Sequence, residues 1–258
     1  MIIDFFKRGS NNGDQPQAMS DTTREMVEKC KFPYEVFPEG SNHSDIMKRY
    51  EEKLREGKEK GFTPVIVPVD ETLEEYWEIF EDEEYSLEDT IRGASSEEGK
   101  KFLHECYEEM LDDTSMSEEE YVGEFDDEPD AINHVTAFME FGAPDTLETI
   151  IFEVPTTNPW EVVAYLPFGG WNECPNPDKM VSVCKYWFEK YGAVPVTITH
   201  EIMEMSVPEC VSAGDALELA IVHYAFCPDR VDQGTRTGTI SEVAASLEVS
   251  KIWYFWWD

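Results

Sequence analysis

The chain has 258 residues, of which 41% are hydrophobic and 13% aromatic, so it is able to bury a sizeable core. Its 56 acidic and 20 basic residues give a formal net charge of −36, which repels nucleic acid and anionic membranes and attracts basic partners. Residues 2–6 are too short an apolar run for a signal peptide, and no window approaches the ~18 apolar residues of a membrane span, so we expect a soluble cytoplasmic protein.

The acidic residues are concentrated in the first part of the chain. Residues 70–130 contain 26 Asp and Glu against 3 Lys and Arg. Two interpretations stay open: a solvated helical surface that maintains solubility, or a docking face for a basic protein. The residues predicted for the docking face are Glu74, Glu75, Glu78, Glu81, Asp82, Glu83 and Glu84.

The N-terminal part begins with a predicted flexible arm over residues 1–23, because 7–23 are polar and rich in Gly and Asn. An acidic, mainly helical region follows over 24–148. Its apolar stripe predicts a helix over 44–60 that ends at Gly61, and a short buried strand follows over 62–69. Further helices are predicted over 71–85, 87–92, 97–111 and 118–123.

From residue 149 the sequence becomes rich in strand-forming residues. Strands are predicted over 149–154, 161–166, 194–199, 202–207 and 251–257, and helices over 177–191, 213–226 and 240–249. The alternation predicts an α+β domain over 149–258, with a mixed sheet covered by helices. The short gap between 194–199 and 202–207 predicts a hairpin. The last strand is apolar on both faces, which predicts a place inside the sheet.

Cysteine usage indicates reduced thiols. No CxxC pair or classical zinc spacing is present, so neither a metal site nor a cofactor is predicted, although a composite site of distant Cys and His stays open. The six cysteines are Cys30, Cys106, Cys174, Cys184, Cys210 and Cys227.

The stretch PFGGWNECP, residues 167–175, is expected between a strand and a helix, where α/β proteins build sites. Gly169 and Gly170 permit an unusual backbone, and Asn176 is expected to cap the next helix. Without a GxGxxG or P-loop pattern, a phosphate site is not favoured. A tight turn in which Asn172 and Glu173 satisfy backbone amides is the structural alternative.

A second stretch, CPDR, supplies further polar groups. Arg230 is expected to pair with Glu173, Asp229 or Asp258, which predicts either a ligand site or a latch that fixes the chain end. Cys174 would need His200 or His223 to act as a nucleophile, and no protease signature surrounds it, so no catalytic residue is predicted. The candidate site residues are Trp171, Asn172, Glu173, Cys174, Cys227, Asp229, Arg230, Trp257 and Asp258.

Four stretches, PFGGWNECP, YWFEKYGAVPV, YAFCPDRVDQG and WYFWWD, occur in this order over residues 152–258. In these the chain resembles the bacterial family catalogued as domain of unknown function 4253. The resemblance implies a compact bacterial cytosolic domain with no assigned reaction, and it marks 167–175, 226–230 and 256–258 as signature segments. GFTPVIVPVD is similar to a segment that precedes this domain in such proteins.

These observations leave hypotheses from different classes. The first is a protein-binding module with an acidic face, comparable to immunity proteins that neutralise a basic toxin. The alternative is an enzyme or small-ligand domain with its site at the PFGGWNECP, CPDR and WWD segments. A housekeeping interaction domain is the third. The oligomeric state is not predicted.

Overall fold

The computed structural model describes residues 19–70, 72–75, 85–113, 117–139 and 145–258. Six strands form one mixed sheet in the order β1-β3-β2-β4-β5-β6. The β2 and β4 pair is parallel and the other pairs are antiparallel. The strands are β1 Tyr34–Phe37, β2 Thr63–Pro68, β3 Thr149–Val154, β4 Val194–Ile198, β5 Ile202–Ser206 and β6 Ile252–Trp256.

In the part of the chain that the structure describes, ten α-helices surround this sheet, which confirms the predicted α+β class. Two 3₁₀ helices, Leu73–Glu75 and Pro159–Glu161, accompany them. The α-helices are α1 Asp21–Cys30, α2 His43–Lys60, α3 Leu87–Gly93, α4 Ser96–Asp113, α5 Glu118–Val122, α6 Val162–Tyr165, α7 Pro177–Tyr191, α8 Ala216–Phe226, α9 Asp229–Asp232 and α10 Ile240–Val249.

The two faces of the sheet carry cores of different size. Alternating strand residues separate them: Val65 and Val67 point into the large core, whereas Ile66 lies in the small one. The large core contains residues of α4, α7, α8 and α10. The small core is closed by α2 and by residues 132–139, which include the buried Val135 and Phe138. The site segments predicted from sequence lie on the large-core side.

A buried carboxylate fixes residues 132–139 to the sheet. Glu204 on β5 has no exposed surface and accepts the backbone N–H of Thr136 at 2.7 Å and that of Ala137 at 3.2 Å. Burial raises the pKa of Glu204, although these hydrogen bonds oppose the shift. This side chain is therefore structural, since its oxygens are used by the backbone that closes the small core.

The first helix begins inside the segment predicted as a flexible arm. Helix α1 begins at Asp21, and the Ser20 hydroxyl caps it by accepting the backbone N–H of Thr23 at 3.1 Å. The predicted arm over 1–23 therefore extends too far, because Ser20 supplies a helix start within it. Residues 1–18 lie outside the described residues, as does most of the helix predicted over 71–85. The strand β1 was not predicted.

Residues 161–166 do not form the predicted strand. Asn158 and Pro159 begin a 3₁₀ turn that continues into α6, and Pro159 occupies the first helical position. The Glu161 carboxylate accepts from the Asn158 side chain at 2.8 Å and from the Thr156 hydroxyl. A short buried apolar run is compatible with a strand and with a helix, so the sequence pattern predicts the wrong secondary structure here.

The C-terminal strand lies at the edge of the sheet, and its predicted place inside the sheet is wrong. Its pairing with β5 and the predicted hairpin of β4 with β5 are both present. The edge is covered by other parts of the chain, since Ile252 donates its backbone N–H to the Ile132 carbonyl at 3.0 Å. Covering an edge strand satisfies its free backbone groups and lets it carry apolar residues on both faces.

One sheet spans the predicted boundary at residue 149. Strand β2 lies between β3 and β4, and all six of its residues are buried. The helix α4 also packs on α7 and α8, and Gly99 permits close contact, because a Cβ there would lie 2.1 Å from the Ser182 carbonyl oxygen. The boundary therefore marks a change in sequence composition within one shared core.

Candidate functional site

The PFGGWNECP loop folds back on itself after α6. Gly169 and Gly170 have φ of +103° and +89°, and a Cβ on Gly169 would lie 1.9 Å from the Pro175 carbonyl oxygen. The Gly170 N–H bonds that same oxygen at 3.1 Å. Asn172 is exposed and has φ of +47°, a conformation that Asn tolerates better than most residues. The glycines and Asn172 are thus explained by the turn itself.

Trp171 leaves this loop towards the carboxyl ends of β2 and β4. Its ring centroid lies 4.6 Å from that of His200, and its indole N–H donates to the His200 carbonyl at 3.1 Å. His200 is buried, and its Nδ1 lies 3.6 Å from a carboxylate oxygen of Glu75. No sequence pattern links His200 with Trp171. The parallel pairing of β2 and β4 places His200 at the edge of the sheet where the carboxyl ends of both strands meet, and Trp171 packs there.

Two further carboxyl groups lie near this edge. Burial raises the pKa of Asp70, which follows β2, against hydrogen bonds from Thr72. Burial also raises the pKa of Glu201, and the nearby charges of Asp70, Asp258 and Glu75 add to that shift. Within the described segments, no three His, Cys, Asp or Glu side chains form a group that could hold a metal ion.

Arg230 does not form the predicted ion pair with Glu173, Asp229 or Asp258. Arg230 is 7% exposed, and its guanidinium donates to the Tyr254 carbonyl of β6 and lies 5.1 Å from the centroid of the Phe255 ring. Burial lowers its pKa from 12.5 to about 10. The prediction failed because an edge strand offers backbone carbonyls, a partner that side-chain composition does not reveal.

The chain end is held by the neighbours of Arg230. The Cys227 thiol contacts the Trp256 carbonyl at 3.0 Å, and Asp229 accepts the backbone N–H of Asp258 at 3.0 Å. Trp257 is fully buried, with its ring centroid 5.6 Å from that of Phe168. These contacts favour the latch over the ligand site for Cys227, Asp229, Arg230, Trp257 and Asp258.

The two cysteines of these segments are buried thiols. Burial raises the pKa of Cys174 well above 9.0 and that of Cys227 to about 12. Thiolate formation is therefore disfavoured at neutral pH, and a nucleophilic role would need an opposing charge. All six cysteines of the chain are free.

A groove of about 580 Å³ brings the acidic region and the two loops together. Residues of α4 recur at helical spacing along one wall, and Tyr121 of α5 joins them. The opposite wall comes from the PFGGWNECP loop, the end of α8 and Pro228 beyond it. The lining residues are Phe102, Cys106, Glu109, Met110, Tyr121, Glu173, Pro175, Tyr224, Ala225, Phe226 and Pro228.

Apolar side chains and two carboxylates both line the groove. Phe102, Met110 and Phe226 are half-buried or buried, whereas Glu109 and Glu173 are exposed. Among the described residues, no Lys or Arg lines it, and the sequence of residues 102–178 contains 20 Asp and Glu and no Lys or Arg. Glu173 is among the residues predicted from sequence, whereas Glu109 and Met110 are not, although their helical spacing from Phe102 on α4 indicates one shared face.

The predicted acidic docking face is described only in part. Glu74 and Glu75 are exposed on the 3₁₀ helix Leu73–Glu75. Glu74 accepts from the Thr22 hydroxyl at 3.2 Å, and Glu75 faces His200. The other five members of the predicted face, Glu78, Glu81, Asp82, Glu83 and Glu84, lie outside the described residues.

No helix in the described parts of the chain combines the length and the apolar character needed to cross a membrane. Neither a curated protein nor a solved structure matches the chain. Residues 150–258 match the family described as Domain of unknown function (DUF4253). This range contains the four sequence blocks, the PFGGWNECP turn and the latch at the chain end. The chain therefore carries a DUF4253 domain over residues 150–258.

Proposed function

We propose that the chain is a protein-binding module that receives a basic segment of a partner in the groove between α4, α5 and the end of α8. The observation that carries this proposal is the lining of the groove, where apolar side chains adjoin Glu109 and Glu173 and the described part of the chain contributes no Lys or Arg. Apolar surface supplies binding energy, and the carboxylates select a cationic segment.

The surrounding charge supports the same partner class. The exposed side of α4 adds Glu105, Glu108 and Asp112 beyond the groove, and the formal net charge of the chain is −36. Such a field speeds the encounter with a basic protein and slows it as salt is added. Neutralisation of a basic toxin, as immunity proteins do, is one form of this function.

The alternative of an enzyme or small-ligand site at the PFGGWNECP, CPDR and WWD segments has less support. Arg230 is used by the edge strand, and the Cys174 and Cys227 thiols are buried. The exposed members of the loop, Asn172 and Glu173, remain available, and Glu173 belongs to the groove. The proposal therefore retains Glu173 as a contact for the partner.

The test uses a synthetic helical peptide of Leu and Lys and a counterpart in which Glu replaces Lys. Fluorescence anisotropy of the labelled peptides with the full chain measures both dissociation constants at low salt. The Lys peptide is expected to bind and the Glu peptide not. The double variant Glu109→Gln and Glu173→Gln is expected to weaken binding of the Lys peptide about tenfold.

A matched control removes two charges elsewhere on the same helix. Glu97→Gln with Glu98→Gln alters exposed residues in the first turn of α4, outside the groove lining. It is expected to change the dissociation constant by less than about twofold, since exposed distant charges act only through the screened field. Equal losses in both double variants, or no binding of the Lys peptide, would refute the proposal.

A further inference from the structure

A second cavity, of about 480 Å³, lies on the other side of α4, between α4, α7 and α8. Its floor is apolar and contains Leu103, Trp187 and Leu219, all of them buried. Cavities of this size with mainly apolar walls and a few polar groups are the usual form of small-ligand sites. The further lining residues are Lys100, His104, Tyr107, Tyr186, Lys190, Tyr191, Glu218, Ile221 and Val222.

The charge at this cavity is opposite to the charge of the chain. Lys100 and Lys190 line it together with His104, and Glu218 is the one acidic side chain among its described lining residues. Among the described residues, neither lysine forms an ion pair, whereas the neighbouring Lys101 pairs with Glu105 at 3.4 Å. Both lysines are exposed and line an apolar cavity in a chain with 20 bases and 56 acids.

The aromatic residues of the cavity point to the same ligand chemistry. The Lys190 ammonium lies 4.9 Å from the ring centroid of Tyr191 and 5.7 Å from that of Tyr186, so the cation and the phenol rings are clustered. Trp187 is fully buried and supplies apolar surface to the floor of the cavity.

From the cavity, its two lysines and its apolar floor we propose that this is a binding site for a small organic anion with a flat apolar body, such as an aromatic carboxylate. Lys100 and Lys190 bind the carboxylate at the mouth, and the apolar floor holds the ring. The site is separate from the groove proposed for the basic partner, because Lys100, His104 and Tyr107 occupy a different stripe of α4 from Phe102, Cys106 and Glu109.

The test is calorimetric titration of the full chain with naphthalene-2-carboxylate, with the uncharged naphthalene-2-carboxamide as the comparison ligand. The carboxylate is expected to bind saturably, at least about fivefold more tightly than the amide, because only it meets the ammonium groups as a charged acceptor. Lys100→Met with Lys190→Met is expected to weaken its binding about tenfold, and Glu218→Gln to strengthen it about threefold.

The controls separate this site from other surfaces. Lys101→Met alters an exposed lysine on the same helix and is expected to leave the affinity within about twofold. The groove variants Glu109→Gln and Glu173→Gln should also leave it unchanged, so failure here and failure of the proposed function are distinguishable. The proposal is overturned if the carboxylate does not bind saturably, if the amide binds equally well, or if Lys101→Met causes an equal loss.

Discussion

Replacing Arg230 with Met separates a latch from a ligand site. The guanidinium donates to the Tyr254 carbonyl and packs over the Phe255 ring, so it fixes the edge strand β6 against α9. Met retains the volume and apolar stem of the side chain but provides no donor. The variant therefore leaves the Tyr254 carbonyl, at a covered sheet edge, without this hydrogen bond. The loss raises the free energy of the folded state and leaves that of the unfolded state unchanged.

The expected loss follows from opposing contributions. A hydrogen bond from a charged group contributes about 1.5–3 kcal/mol, and an unsatisfied buried acceptor costs about 1–3 kcal/mol. Burial of the charge opposes this gain, as the lowered pKa of about 10 shows. We therefore expect Arg230→Met to reduce the free energy of unfolding by about 2 kcal/mol, roughly 4–8 °C in Tm for a chain of this size.

Urea unfolding followed by tryptophan fluorescence measures this loss, with the m value as a check on two-state behaviour. Glu173→Gln is the matched control, because Glu173 is exposed and should change stability by less than about 0.5 kcal/mol. A stability of Arg230→Met within that same limit would refute the latch. An equal loss in Glu173→Gln would show that the loop carboxylate also fixes the fold.

Three further predictions concern other parts of the fold. Residues 150–258 expressed alone should show no cooperative thermal transition by circular dichroism, because β2 between β3 and β4 is missing; a sharp transition would contradict the shared core. Cys174 and Cys227 should not react with a thiol reagent at pH 8 before unfolding, and rapid labelling of either in the native chain, located by mass spectrometry, would count against their burial. Burial raises the pKa of Glu204 in the folded state, so the folded chain holds that proton more tightly; stability relative to Glu204→Gln should therefore be greatest below the unfolded pKa of about 4.5 and fall as pH rises through the folded-state pKa. Urea unfolding of both proteins at pH 5 and pH 8 tests this pH dependence. An equal difference in their free energies of unfolding at the two pH values would contradict it.

Elements with strong local signals could be predicted from the sequence. Helix α2 has an apolar stripe and ends at Gly61, whose φ is +82°. Helix α10 begins close to its predicted position, at a cap in which Thr239 accepts the backbone N–H of Glu242. Such starts and stops depend on a few neighbouring residues and are visible in one sequence. Asn176 shows the limit, because it precedes α7 without a side-chain capping hydrogen bond.

Features that depend on distant pairing could not be predicted in the same way. The role of Arg230 follows from the carbonyls of an edge strand 24 residues away, and the contact of Trp171 with His200 follows from the parallel pairing of β2 and β4. The groove likewise combines Glu109 of α4 with Glu173 of the loop. Composition predicts the loop as a candidate site, but the opposite wall of the groove requires the fold.

The most direct test of the groove as the binding surface is to locate the bound basic peptide. A Leu-Lys peptide that carries one photoreactive benzophenone side chain is irradiated with the full chain, and the cross-linked residues are identified by mass spectrometry. Met110 in the groove is expected to be the main cross-linked residue, together with Phe102. Met47, which is half-buried on α2 beside the small core, is the internal control. Cross-links mainly at Met47, or spread evenly over the surface, would contradict the proposed binding surface.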